Sequence, residues 1–357
     1  MSSKVLLIGP FPPPAGGVSI HLQRLTRLIG NEFEVDFIDE AREIKNEYFN
    51  LRPFKLLGYL NKIRESSVLF VHSGPDILKA FHIASGKIFR KKVILTVHAY
   101  PRKKGVLLHW LDKSIFNLAD IIICVNSEIA ERLKLPLHKS IIKNAFIPPD
   151  VEEEPEIPLY IKEWITKKKK NGRLIVSSNA YRLDTFNKQD LYGLDLCIEA
   201  AKKLIRDKYP FSFIFNISTI DDHKNLFVKY LRMVSEIRIE DDFLLINEQL
   251  SFVKLAEQSD IVLRLTNTDG DALTVREALF LGKTVIASDV VERPAGTLLF
   301  RSRDADDLAE RLTETAGMEA FTLKQAYNEV VIRTFYIELI EKTLAPNQPG
   351  ADDFSRN

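Results

Sequence analysis

Cysteine is nearly absent from these 357 residues, with only Cys124 and Cys197 present. They stand far apart inside the apolar runs "DIIICVN" and "LDLCIEA", without a companion cysteine or histidine at metal-ligand spacing. That excludes a disulfide framework and a zinc ribbon, and both read as small buried hydrophobes. Long hydrophobic runs are absent too. No window approaches the roughly 18 unbroken apolar residues of a spanning helix, and "MSSKVLLIGP" enters a strand instead of a signal peptide, so the protein is expected in the cytoplasm. Net charge is small, +1, but unevenly divided. The first 150 residues carry 22 Lys and Arg against 14 Asp and Glu, or +8, and the remainder carries 28 against 35, or −7. Such asymmetry points the first half toward an anionic partner: nucleic acid, anionic lipid or a phosphorylated substrate.

Several catalytic signatures are missing. Neither G-x-G-x-x-G nor G-x-x-x-x-G-K-[ST] occurs, which removes the nicotinamide-cofactor fingerprint and the P-loop. Without G-x-S-x-G or H-E-x-x-H, hydrolase and metalloprotease readings lose support. No D-x-D cluster falls in a plausible ligand loop; Asp221 with Asp222, and Glu240 to Asp242, read as solvated turns.

What is present is rhythm. "KVLLIG", "FEVDFID", "SVLFVHS", "KVILTVHA", "DIIICVN" and "SIIKNAF" alternate with helical patterns, as in a parallel sheet covered by helices. The rhythm resumes with "RLIVSSN", "FSFIFNIS", "FLLINE", "DIVLRLT", "TVIASD" and "TLLF". Two α/β domains are therefore expected, 1–150 and 171–325. A proline- and acid-rich linker over 151–170 joins them, a C-terminal helix over 326–345 is placed to pack back toward the first domain, and 346–357 reads as a disordered tail. Ligands of open α/β sheets bind beyond the carboxyl ends of the strands, so the cleft between the domains is the expected site.

Two loops can meet an anion there. In "IGPFPPPAGGVSIHLQRL" a strand runs into prolines, then Gly16 and Gly17, then a helical pattern; glycine lets backbone approach a ligand, and a helix start favours phosphate. In "NTDGDALTVREALFLGKTVIASD", seven residues separate Asp269 from Glu277, and Leu273 and Thr274 lead into a helix. This loop can offer amides to a phosphate and carboxylates to vicinal hydroxyls, which suits a nucleoside diphosphate sugar.

Together "PPPAGGVSIH", "ILTVHA", "KNAFIPP" and "DGDALTVREALFLGKTVIASD", in this order through nearly the whole chain, resemble the retaining GT-B glycosyltransferases of family four. The resemblance implies an α/β fold of two Rossmann-like domains with parallel sheets facing a central cleft, the first acceptor-side and the second holding the nucleotide-sugar. It assigns Gly16 and Gly17 to the donor diphosphate, His98 to the transferred sugar, Asp269 and Glu277 to sugar and ribose, and Leu273 and Thr274 to donor binding. Arg182 and Lys188 are implied to neutralise the leaving diphosphate, and His21 to face the acceptor. This sequence departs from the family pattern twice: an Asp stands where the family has the first Glu, and "QDLY" separates Lys188 from Gly193. His72 and His109 receive no assignment.

The implied activity is metal-independent hexosyl transfer, with no cofactor, to a glycan or lipid-linked acceptor in bacterial surface-polysaccharide synthesis. Nucleic acid is not an expected partner. "RPFKLLGYLNKIRES" and "RKKVILTVHAYPRKKGVLLHW" mix apolar and basic residues, and point to peripheral contact with the anionic inner face of the plasma membrane. Two other readings stay open: a sugar-nucleotide 2-epimerase of the same fold, and a catalytically inactive GT-B partner protein.

Overall fold

The computed structural model describes residues 3–13, 16–100, 105–136, 138–220, 224–270, 272–316 and 329–345. They fall into two compact units, one of Met1–Ile147 with Glu329–Asn357 and the other of Pro148–Asn328.

The first unit carries β1 (Lys4–Gly9), α1 (Gly17–Ile29), β2 (Glu34–Asp39), β3 (Phe49–Asn50), α2 (Leu56–Glu65), β4 (Val68–Val71), α3 (Asp76–Ile88), β5 (Lys92–Val97), α4 (Val106–Phe116), β6 (Ile121–Cys124), α5 (Ser127–Leu133) and β7 (Ser140–Ile142). Its sheet runs β3-β2-β1-β4-β5-β6-β7, with every pair parallel. Val5 to Ile8 and Val68 to Val71 are fully buried, because helices cover both faces of the sheet. Burial on both faces is also why these strands are continuous aliphatic runs and do not alternate with polar residues. The order reverses between β1 and β4, so the crevice beyond their carboxyl ends is this unit's topological switch point.

The second unit begins with α6 (Leu159–Lys170) and continues through β8 (Leu174–Arg182), β9 (Thr185–Phe186), β10 (Gln189–Asp190), α7 (Leu194–Arg206), β11 (Phe211–Thr219), α8 (Lys224–Glu236), β12 (Phe243–Asn247), α9 (Phe252–Gln258), β13 (Ile261–Arg264), α10 (Leu273–Phe280), β14 (Thr284–Ser288), β15 (Thr297–Phe300) and α11 (Ala305–Thr315). Its main sheet has the order β12-β11-β8-β13-β14-β15, again all parallel, with its switch point between β8 and β13. Amphipathic α7 seats Leu194, Cys197, Ile198, Ala201 and Leu204 in the core. Its lysines, Lys202 and Lys203, stay exposed.

Three sequence expectations change here. Part of the expected linker, 151–170, is helix α6, whose Ile161 and Ile165 pack with Ile175 and Ile214; the "PPDVEEEPEIP" pattern masked the apolar spacing that follows it. The two-residue strands β3, β9 and β10 were too short to read from any periodicity. Asp242, expected in a solvated turn, is half-buried and paired with Arg173 and Lys168, while Asp221 and Asp222 lie outside the described residues. So does the expected tail, 346–357.

Helix α12 (Glu329–Leu344) belongs to the first unit, where it packs along α1. Its Ile332, Tyr336, Leu339 and Ile340 join Leu22, Leu25 and Phe70 in one cluster. Burying each such side chain contributes about 1.5–3 kcal/mol, so the end of the chain covers one face of the sheet on which the chain begins. Both cysteines are buried and free, as expected.

Candidate functional site

Each switch point gathers polar side chains of a different kind. In the first unit they are histidines. His72 directly follows β4, His98 directly follows β5, and His21 stands in α1, reached from β1 through the glycine loop. Gly9, at the end of β1, makes the close approach possible: a Cβ there would lie 2.8 Å from Leu22 Cδ1 and 3.3 Å from His72 Cβ. The three rings stand with centroids 5.0, 5.1 and 5.3 Å apart, walled by Phe70 and Tyr336.

His21 Nδ1 lies 2.6 Å from the carbonyl oxygen of Ala145 and therefore carries the donated proton, which leaves the lone pair of a neutral ring on Nε2. His72 Nδ1 is 3.0 Å from His98 Nε2. The Nε2 atoms of His21 and His72 are buried and have no hydrogen-bond partner among the described residues. Burial favours the neutral rings: it moves His21 down to about 4, and it holds His72 and His98 well below the ordinary imidazole value, with the neighbouring histidines adding to the effect. His21, implied to face an acceptor, is almost wholly enclosed, whereas His98 is partly exposed.

Gly16 and Gly17 are exposed where α1 begins. Neither has a left-handed φ, and a Cβ on Gly17 would meet nothing within 4 Å. Backbone conformation and packing therefore do not demand glycine at Gly17. Ser19 Oγ accepts from the Gly16 amide at 2.8 Å, and no side chain caps the helix from position 16.

The second unit's rim is ionic. Asp269, in the loop after β13, accepts from Arg264 through both oxygens at 2.9 Å, from Arg293 Nη1 at 2.8 Å, from Thr266 Oγ1 at 3.0 Å and from the Gly270 amide at 3.0 Å. Burial alone would raise this carboxyl, but the two guanidiniums outweigh it and hold the group at about 2. Arg293 has a side chain only 2 % exposed and is fixed further by the carbonyl and hydroxyl of Ser288. Two guanidiniums around one carboxylate leave a net charge of +1. Thr274 and Glu277 are buried on α10, Thr274 with its hydroxyl 3.4 Å from Asn179 Oδ1, and Leu273 opens that helix, whose start has no side-chain cap.

Arg182 and Lys188 sit differently. Arg182 ends β8 with half its side chain exposed and pairs with Asp184 at 2.9 Å. Lys188 and Asn187 both have left-handed φ and form the two-residue turn of the β9–β10 hairpin, so Lys188 is exposed at its tip. The "QDLY" interruption is thus part of a built element. Asp190 accepts from the Tyr192 and Gly193 amides and from Tyr230, while Gly193, at φ +71° and with a Cβ position 2.6 Å from Leu265, can only be glycine.

The sequence reading missed His72, Arg264 and Arg293. His72 ends a strand as His98 does, a parallel the sequence displays. The arginines carry no motif: Arg293 meets Asp269 across 24 positions, and Arg264, five positions before it, reaches it through the loop after β13. His109, also left unassigned, bonds Tyr100 through Nδ1 at 2.9 Å.

No protein-family model matches the chain, and no curated protein does. Solved structures do. A glycosyltransferase from Rickettsia africae is 14 % identical over 97 % of this chain and 100 % of its own, with a TM-score of 0.73. HepE of Anabaena, in complex with UDP-glucose, is 13 % identical over 95 % and 99 %, with a TM-score of 0.70. A sucrose-phosphate synthase from Thermosynechococcus elongatus is 13 % identical over 95 % and 98 %, with a TM-score of 0.63. The chain has the α/β GT-B fold that these glycosyltransferases share.

Proposed function

We propose that this chain is a retaining glycosyltransferase that moves a hexose from a nucleotide-sugar donor to a glycan acceptor, as the family-four resemblance implies. The observation that carries the reading is the rim of the second sheet's switch point. There Arg264, Arg293 and Asp269 form a fixed group of net charge +1, Thr274 stands at the start of α10 and Glu277 lies midway along it. A preorganised positive group is what a departing nucleoside diphosphate needs, since the charge develops on its phosphates during transfer. Glu277 accepts the ribose hydroxyls, Leu273 and Thr274 present the start of α10 to the diphosphate, and Arg182 and Lys188 supply further cations from solvent-exposed positions. In the first unit, Gly16 and Gly17 are assigned to the diphosphate, His98 to the transferred sugar and His21 to the acceptor side. Two similar structures, HepE with UDP-glucose and an Escherichia coli protein bound with UDP-2-fluoro glucose, favour a uridine donor. This transfer needs no divalent ion on the diphosphate.

The acceptor is read as lipid-linked, in polysaccharide synthesis at the inner face of the plasma membrane. Among the described residues no helix is long and apolar enough to cross a membrane. Phe54, Leu56 and Leu57 are exposed beside Lys55 and Arg64, and α4 exposes Leu107, Leu108 and Trp110. This is the composition of a surface that enters a headgroup layer. The set is narrower than the sequence suggested, because Ile63 is buried and Lys62 is paired with Asp36 at 2.6 Å. Arg102, Lys103 and Lys104 lie outside the described residues.

A thermal-shift panel with UDP, GDP, ADP and CDP in the presence of a chelator tests the donor site. A nucleotide at 100 times its dissociation constant adds about 2.7 kcal/mol of stability. UDP standing out supports the reading; no shift with any base removes it. One observation favours a second reading, an inactive GT-B partner: both oxygens of Asp269 are already engaged by arginines and other donors. Turnover that appears only in Asp269→Glu points to that reading, and turnover by the unaltered chain ends it.

A further inference from the structure

We propose that His21, His72 and His98 form a binding site for one divalent ion of the zinc class. Each contributes one ring nitrogen, and the three nitrogens lie within 4.8 Å of one another. In a tetrahedral site with bonds of about 2.0–2.1 Å, ligand nitrogens stand about 3.4 Å apart. His72 Nδ1 and His98 Nε2, at 3.0 Å, already stand close to that spacing and share a hydrogen bond that an ion would replace.

Three features separate this cluster from a chance grouping of surface histidines. The rings come from the ends of β4 and β5 and from α1, so a packed sheet and helix fix their positions. His21 donates Nδ1–H to the Ala145 carbonyl, the outer-shell bond that orients metal-ligating imidazoles and aims the Nε2 lone pair inward. The buried Nε2 of His21 has no partner among the described residues, and an unpaired polar atom in such a place is costly unless something satisfies it. Neutral imidazoles are the required form, and burial keeps them so. Lys79, the nearby cation that acts on His98, is itself paired with Asp76 at 2.7 Å. Three histidines with a fourth position open, on the side where His98 is partly exposed, make a donor set for Zn²⁺ or Co²⁺.

An ion held here would occupy ring nitrogens of His21 and His98, to which the transfer reading gives acceptor and sugar contacts, so the two readings compete for these rings; the test of the ion does not use turnover. Tag-free protein, stripped with a chelator, is titrated with Co²⁺. One equivalent is expected to raise the intense visible absorption of a four-coordinate site, and Zn²⁺ is expected to displace it. His21→Ala and His72→Ala each weaken binding by roughly tenfold or more; His109→Ala leaves it unchanged. X-ray absorption at the zinc edge of the unaltered protein, which does not depend on any variant folding, should count three imidazoles. Absence of one-to-one binding, binding that survives both substitutions in folded protein, or a shell of fewer than three imidazoles overturns the site.

Discussion

The two switch points share one topology and differ in their chemistry. In the first unit the crevice beyond β1 and β4 is lined with neutral imidazoles whose polar atoms are under-used. In the second, the crevice beyond β8 and β13 holds a carboxylate whose oxygens are fully engaged by two guanidiniums, a hydroxyl and an amide. A sheet edge fixes where side chains gather; loop sequence decides what they can bind. The charged rim should therefore be costly to dismantle and the neutral rim cheap.

The largest expected effect lies in the ionic rim. Asp269→Asn leaves Arg264 and Arg293 facing each other without their shared anion, and breaking such a buried pair costs about 3–5 kcal/mol. Arg264 keeps some solvent contact, so about 3 kcal/mol is expected in a urea titration. The comparison substitution, Asp184→Asn, removes the exposed partner of Arg182 and should cost less than about 1 kcal/mol. Equal losses in the two variants would mean that Asp269 does not organise its rim.

The same carboxylate sets an acid limit. Its value is lowered to about 2 in the folded chain, so its contribution is fully present above the unfolded-state value near 4 and is lost as pH falls through 2. That contribution is about 2 kcal/mol. Stability measured from pH 5 to pH 2 should fall less steeply in Asp269→Asn than in the unaltered chain. Parallel curves would remove the pairing from the account.

The reach of the sequence follows from the same contrast. All twelve runs that suggested strands became strands; central ones such as β1, β4 and β6 are apolar almost throughout because residues buried on both faces of a parallel sheet must be apolar at nearly every position, whereas β2, β7 and β15 are only partly buried. The quoted motifs carry His98 directly after β5, Asp269 in the loop between β13 and α10, and Glu277 on α10. Their partners could not be read. Asp269 meets Arg293 across 24 positions, and His98 meets His72 across 26, distances over which no local periodicity operates. Lys188 shows the converse limit: its spacing from Arg182 resembled a pattern, but a two-residue turn decides where it points.

A smaller effect separates binding from stability on α10. Glu277→Ala should weaken UDP affinity about tenfold, or about 1.4 kcal/mol, in a calorimetric titration. Unchanged affinity in a folded variant would take the ribose role from Glu277.

The smallest effect concerns the neutral rim, and there its sign carries the information. Gly17 has no left-handed φ, and beyond its chain neighbours and the backbone of its own helix an added methyl group would meet no atom within 4 Å, so Gly17→Ala fits the folded chain. Alanine restricts the unfolded chain more than glycine does, and the variant should gain about 0.4–1 kcal/mol of stability. If glycine is there so that a diphosphate can approach the backbone, the same methyl must lower affinity for UDP-glucose while the protein melts higher. A variant that is more stable and binds equally well would show the glycine to be plain loop chemistry, and the neutral rim would lose its claim to the phosphates. Opposite signs for stability and affinity at one methyl group are hard to obtain in any way other than direct contact, because a general loosening of the loop would lower both.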